Sequence, residues 1–310
     1  MLTQIQGLHH VTSIASGAQE NNDFFTKVLG LRRVKKTVNF DAPEVYHLYY
    51  GDEMGTPGTV MTYFPFPNAR RGRPGAGEVS VTGFAVPKGS LGWWADRLQS
   101  FGVKGLAEEA RMGAQRLRFQ GPDGDGFALI EAEDTRAPWT GNGVGAEQAI
   151  RGFHSTDLRL KDQGATAELL RFMGYEKTET MGDISRYVRP GGNGADTIDI
   201  ETLPGAAPAH QGAGSVHHLA FAVEDRAAQA AVRQSLLDTG WQVTPVIDRD
   251  YFWAIYFRTP GGVLFEIATN EPGFERDEPR ASLGQELRLP QQHAHLRDVL
   301  EAKYLEPIHD

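Results

Sequence analysis

A strand-like segment, an amphipathic helix and further β-rich runs recur four times along this chain, at a period of roughly 70 residues. Repetition constrains the fold more than any local propensity does, because a small repeat cannot bury its apolar face alone and must cover it with another copy. First strands are expected over residues 7–14, 79–86, 150–158 and 215–223, and helices over 18–28, 89–99, 164–172 and 227–237. Gly30, Gly102 and Gly240 stand just past three of these helices, where a left-handed residue caps the last turn. Paired β-rich runs follow at 45–50 and 59–64, 116–119 and 127–131, 186–189 and 197–202, and 251–257 and 263–268. The acidic, Pro- and Gly-containing stretch 133–147 reads as a linker. It separates modules 1 and 2 (residues 1–140) from modules 3 and 4 (148–275), and 276–310 is a charged tail with a short helix expected near 295–304. The class is α+β, built from four βαβββ modules.

Composition narrows the partners. With 31 Lys and Arg against 40 Asp and Glu, the net charge of −9 disfavours nucleic acid and anionic membranes. Arg70, Arg71 and Arg73 make a basic cluster in a Pro/Gly-rich loop that reads as a solvated tip. No cysteine is present, so disulfides, thiolate ligands and a Cys nucleophile are excluded. No apolar run approaches the roughly 20 residues of a membrane span and no signal-peptide core is seen, so a cytoplasmic location is expected.

Two of the first strands carry His-His pairs, His9-His10 and His217-His218, and a lone Glu266 closes the last β-rich run. Alternate side chains of a strand share a face. In 216–223, Leu219, Phe221 and Val223 belong under the helix with His217, while His218 shares the other face with Ala220 and Ala222. Small residues leave room for a cavity, so His218 is the expected ligand. The matching register puts His10 with Leu8 and Thr12. Two imidazoles and one carboxylate suit a non-heme Fe(II) centre with coordination positions left open.

Aligning the four first strands puts Val81 at the position of His218 and Ser155 at that of His10, with Ile130 expected where module 4 has Glu266. One metal site per chain follows. Thr259-Pro260-Gly261-Gly262 marks a turn. A hairpin centred on Gly261 sets Tyr256 beside Glu266 on the cavity face and pairs Phe257 with Phe265 on the core face. His47, His154 and His210 read as structural or surface histidines, with His154 a weaker candidate for supporting the site.

These segments resemble the vicinal oxygen chelate superfamily, and within it the hydroquinone ring-cleaving dioxygenases, typified by enzymes that open 2,6-dichlorohydroquinone. The likeness spans nearly the whole chain and is carried by residues 7–12, 46–50, 55–65, 87–94, 151–155, 217–223, 258–266 and 282–284. It implies His10, His218 and Glu266 as metal ligands, and His9, Thr12, His217, Arg249 and Tyr256 as residues lining or supporting the site. It implies Fe(II), with Mn(II) the alternative, and a ring-opening oxygenation in which a small aromatic substrate meets O2. Tyr256 and one of His9 or His217 would donate or accept the proton. Members of this superfamily often associate, so a homo-oligomer is compatible with the chain. Two rivals share the superfamily. Catechol-type extradiol dioxygenases usually draw their first histidine from module 3, where this chain has Ser155. Glyoxalase-like isomerases or lyases commonly use two carboxylates, and only Glu266 is found.

A metal cannot be shared by strands of different barrels. His10 can therefore meet His218 and Glu266 only if module 1 packs against module 4, leaving module 2 against module 3 around a metal-free centre.

Overall fold

The computed structural model describes all 310 residues. Module 1 comprises β1 (Leu8–Ala15), α1 (Ala18–Asp23, continued as a π turn through Phe24–Val28), β2 (Arg32–Val38), β3 (Tyr46–Gly51) and β4 (Val60–Pro65). Module 2 comprises β5 (Glu78–Val86), α2 (Leu91–Ser100), β6 (Lys104–Arg111), β7 (Ala114–Gln120) and β8 (Gly126–Glu131). Module 3 comprises β9 (Gly152–Leu160), α3 (Gly164–Phe172), β10 (Glu176–Met181), β11 (Ile184–Val188) and β12 (Thr197–Thr202). Module 4 comprises β13 (Val216–Val223), α4 (Arg226–Asp238), β14 (Ile247–Asp248), β15 (Phe252–Arg258) and β16 (Leu264–Pro272). The tail ends in α5 (Arg297–Lys303).

The strands form two eight-stranded sheets, ordered β14-β15-β16-β13-β1-β4-β3-β2 and β10-β11-β12-β9-β5-β8-β7-β6. Each sheet joins two modules through antiparallel first strands, β1 with β13 and β5 with β9. The pairing is thus crossed, one with four and two with three, as a shared metal site requires.

Apolar alternation sets which face is which. Leu219, Phe221, Phe257, Phe265 and Ile267 lie in the main core, and burial of each contributes roughly 1.5–3 kcal/mol. Ala220, Ala254 and Ala268 sit on the opposite face, where their small side chains let the sheet curl around a cavity. Gly30, Gly102 and Gly240 all adopt positive φ after their helices, at 71°, 71° and 86°, which L side chains reach only at a cost.

The sequence marked only two of the three strands that follow each helix. The missing strands, β2, β6, β10 and the two-residue β14, lie toward the sheet edges, where solvent rather than a core completes them, and the first three are charge-rich. β2 is the exception in burial, because the tail covers it. Lys35, fully buried, bonds to Asp277 at 2.6 Å and to the Phe274 carbonyl at 3.1 Å. Arg33 bonds both carboxylate oxygens of Asp310 at 2.7 and 2.9 Å. A Cβ on Gly284 would lie 2.1 Å from the Arg33 carbonyl oxygen, so only glycine lets the tail approach this closely. The charged tail is a packed strap. The exposed arginine loop is likewise braided, through bridges joining Arg71 to Ala213 and Arg73 to His210. No helix is long and apolar enough to cross a membrane.

Candidate metal centre

Three adjacent strands bring the ligand candidates together. Ala220 pairs with His10 on one side and Glu266 on the other, so β13 is the spacer between β1 and β16, and its own His218 faces Thr12. His10 Nε2 lies 3.2 Å from His218 Nε2 and 3.4 Å from Glu266 Oε2, and His218 Nε2 lies 2.9 Å from the same oxygen. All three residues are buried.

These donor atoms fit a cation. Metal–ligand bonds of about 2.1 Å give donor–donor edges of roughly 3.0 Å at right angles and 3.4 Å in a tetrahedron, close to the observed 2.9, 3.2 and 3.4 Å. Glu266 is wholly buried, and neither of its oxygens has a hydrogen bond of acceptable geometry. A buried carboxylate without donors is costly unless a positive charge faces it. Burial alone would raise its pKa, but His10 and His218 outweigh burial and hold the carboxyl well below the usual range.

Tautomers complete the fit. His9 Nε2 lies 3.1 Å from the Thr269 carbonyl and its Nδ1 lies 2.9 Å from His10 Nδ1. A carbonyl only accepts, so His9 carries its proton on Nε2. Burial above all, then the neighbouring His10, lowers the His9 pKa to about 3, so its Nδ1 is bare and accepts from His10 Nδ1–H. The His10 Nε2 lone pair is then left facing Glu266 and His218. His217 and His218 repeat the motif with Nδ1 atoms 2.8 Å apart. If His218 Nε2 is a ligand, its Nδ1–H donates to His217 and leaves His217 with an Nε2–H. His217, unlike His9, lines the cavity. Burial and the adjacent His218 lower its pKa to about 4.

The cavity is about 420 Å³, with the triad at its floor and Phe40, Phe64, Phe66, Phe252 and Leu264 among its walls. Tyr256 pairs with Glu266 and Phe257 with Phe265, the expected hairpin register. The Tyr256 hydroxyl accepts from Arg249 Nε at 3.3 Å. Burial and Glu266 raise its pKa well above the usual tyrosine value, so the phenol keeps its proton near neutrality. Arg249 lines the cavity and reaches Asp41 at 3.4 Å. Thr12 is buried behind the wall, 2.8 Å from Thr62.

One expectation narrows and one needs correction. Of the two readings of His47, structural or surface, the surface one falls away: the residue is buried and lines the cavity beside Tyr49. Strand alternation could have found it, because residues 47 and 49 share a face opposite Leu48 and Tyr50, which lie in the main core. In the second sheet Gly83, at the position of Ala220, pairs with Ala128, so Ala128 and not Ile130 occupies the place of Glu266. The two-residue offset preserves the face, and both residues belong to a small cluster with Val81. Val81 and Ser155 stand where expected.

Residues 7–129 and 126–267 match the model of the glyoxalase/bleomycin resistance protein/dioxygenase superfamily, and the chain belongs to that family. It is similar to MhqO of Bacillus subtilis, provisionally named a ring-cleaving dioxygenase, with 43% identity over 97% of this chain and 96% of that protein. It is 38% identical to the chlorohydroquinone/hydroquinone 1,2-dioxygenase of Sphingobium indicum, over 98% of each chain. A crystal structure of a provisionally named dioxygenase from Bacillus subtilis superposes with a TM-score of 0.95 at 42% identity, covering 99% of this chain and 98% of that one.

Proposed function

We propose that this protein is an Fe(II)-dependent ring-cleaving dioxygenase acting on hydroquinone-type aromatics, with both atoms of O2 entering the ring-opened product. The observation that carries the reading is a triad with a single carboxylate, His10, His218 and Glu266, at the floor of an aromatic-walled cavity. The full-length likeness to relatives named for ring cleavage supports it. When bound, Fe(II) supplies open coordination positions for a phenol oxygen and for O2, and the redox chemistry that couples them.

The chain's own residues hold the substrate and its protons. The aromatic walls orient the ring and exclude water. Tyr256, protonated and steadied by Arg249, donates a hydrogen bond to a substrate oxygen beside Glu266. His217 offers an Nε2–H from the neighbouring wall. His9, plugged by the Thr269 carbonyl, orients His10 and exchanges no proton with substrate. Thr12 supports the strand position facing His218. A cytoplasmic location is a further part of this reading.

The test is anaerobic purification, loading with Fe(II) or Mn(II), and oxygen uptake with hydroquinone, methylhydroquinone and catechol in parallel. Stoichiometric uptake with the hydroquinones and little with catechol is expected. Faster uptake with catechol would replace this assignment by the extradiol one.

A further inference from the structure

Opposite edges of the first sheet meet at the mouth of the cavity. Residues 39–42 follow β2 at one edge, Arg249 follows β14 at the other, and both line the cavity. Across the mouth, Arg249 Nη1 and Nη2 each lie 3.4 Å from a single oxygen, Oδ2 of Asp41. Asp41 is 81% exposed and Arg249 17%, so the carboxylate stands on the rim with the guanidinium behind it. The backbone of the rim is held. Asp41 N–H donates to Asn39 Oδ1 at 2.9 Å, and from the tail His293 Nε2 lies 2.8 Å from the Phe40 carbonyl. The Asp41 carboxylate has no side-chain partner but Arg249 and can swing away without moving the chain.

The guanidinium is well placed but poorly bonded. Its Cζ lies 5.5 Å from the ring centres of both Phe40 and Tyr256, within cation–π reach. A settled arginine–carboxylate pair forks onto both oxygens at about 2.7–2.9 Å, as Arg186 does on Asp199 with two bonds of 2.8 Å. Arg249 has instead long bonds of 3.3 Å to the Tyr256 hydroxyl and 3.4 Å to Asp41, and an exposed ion pair of that kind contributes little. It is also the only lysine or arginine among the lining residues. An anion that arises beside the triad therefore has one fixed cation of the chain to meet.

Ring opening creates such an anion. Cleavage beside a hydroxyl breaks one C–C bond, turning the hydroxyl-bearing carbon into a carboxylic acid and its neighbour into an aldehyde. Each carbon gives up two electrons, which together reduce O2 and leave one of its atoms in each group. The acid then loses its proton to solvent. We propose that Arg249 is the subsite for this carboxylate and that Asp41 is its resting partner, displaced as the ring-opened product turns toward the mouth. A neutral phenol leaves the Asp41 contact in place. The product exchanges it for a forked pair and frees the rim for departure. This use of the subsite rests on the function proposed above.

The anionic probe is cis,cis-muconate, a dicarboxylate, and its dimethyl ester and 4-methoxyphenol are the neutral ones. Binding is measured by calorimetry on the Fe(II)-loaded protein without O2. Asp41→Asn removes the competing charge from an exposed position and should tighten muconate roughly two- to fivefold, while the neutral probes keep their wild-type affinities. Asp41→Glu, which keeps the charge, should stay near wild type. Arg249→Met should weaken muconate roughly 10-fold, and in that background Asp41→Asn should have little further effect. Arg249→Gln serves if Arg249→Met does not fold. The subsite is overturned if muconate does not bind the wild type, or if its shift in Asp41→Asn is absent, shared by the ester, or unchanged without Arg249. If the wild-type enzyme consumes no oxygen with hydroquinone, the functional reading fails, and the muconate cycle still decides the subsite.

Discussion

The two barrels are built on one plan and filled in opposite ways. Where the first has His10, His218 and Glu266, the second has Ser155, Val81 and Ala128. Thr12, Thr62 and Tyr49 of the first correspond to Asp157, Asp199 and Arg186 of the second. Arg186 forks onto Asp199 with two 2.8 Å bonds, Arg111 meets Asp157 at 2.6 Å, and Arg116 comes within 3.4 Å of Asp157. Ala254, which leaves room above the first cavity, corresponds to Arg116, which occupies that room in the second. One barrel stays neutral and open at positions that the other fills with matched charges. A site on this scaffold therefore depends as much on the small and neutral residues around the ligands as on the ligands themselves.

Removing the triad should have the largest effect. Glu266→Ala combined with His218→Ala should abolish metal content and turnover together, while Ser155→Ala at the equivalent place in the second barrel should leave both intact. Full metal occupancy in the double variant, read by elemental analysis, would end the assignment. Because each barrel takes one module from either half, residues 1–140 and 148–310 expressed separately should bind no metal, which the same analysis checks.

Tyr256→Phe should retain metal and thermal stability yet lose roughly 10- to 10⁴-fold in turnover. Arg118 holds the matching place beside Ala128, and Arg118→Met should leave turnover unchanged. Unaltered turnover in metal-replete Tyr256→Phe would remove the tyrosine from the chemistry.

Asp157→Ala leaves Arg111 and Arg116 without their shared carboxylate. Removing one partner of a buried ion pair costs roughly 3–5 kcal/mol. Denaturant unfolding should show that loss, with metal affinity and turnover per folded molecule unchanged.

The smallest effect concerns His154, the counterpart of His9. With Ser155 beside it instead of a second histidine, its Nδ1 is buried without a partner. Burial, then Arg186 and Arg116, lowers its pKa to about 4 from an ordinary 6.5. A histidine depressed by folding binds its proton more readily in the unfolded chain. Its stabilising contribution is therefore full above pH 6.5 and is lost as pH falls toward 4. His154→Gln should flatten the pH dependence of unfolding between pH 7 and 5 by on the order of 1 kcal/mol, measured on metal-free protein. An unchanged slope would show that His154 does not control it.

Much of this was legible because period-2 alternation and a fourfold repeat leave few arrangements open. The faces of His218 and Tyr256 and the crossed pairing follow from strand alternation and from the demand that one metal touch three strands. Ile130 was misplaced by two residues because alternation fixes a face but not a position along it. β2, β6, β10 and β14 were missed because edge strands lack an apolar pattern. His47 was not placed in the cavity because the face alternation of the run 45–50 was not worked out. The buried ion pairs of the second barrel were invisible for another reason: Arg111, Arg116 and Asp157 look like surface residues until the sheet curls over them.

The crossed pairing also bears on the order in which the molecule can form during synthesis. Gly83 pairs with Ser155, so β5 can close on β9 soon after that strand emerges, whereas the contact between His10 and His218 spans 208 residues. Loop-closure entropy and high contact order both place that step late. β1 leaves the ribosome first among the strands and finds its partner only after three modules exist. In the interval its hydrogen-bonding edge is open to wrong partners, and the relatively early closure of the second barrel shortens the chain over which the two ends must search.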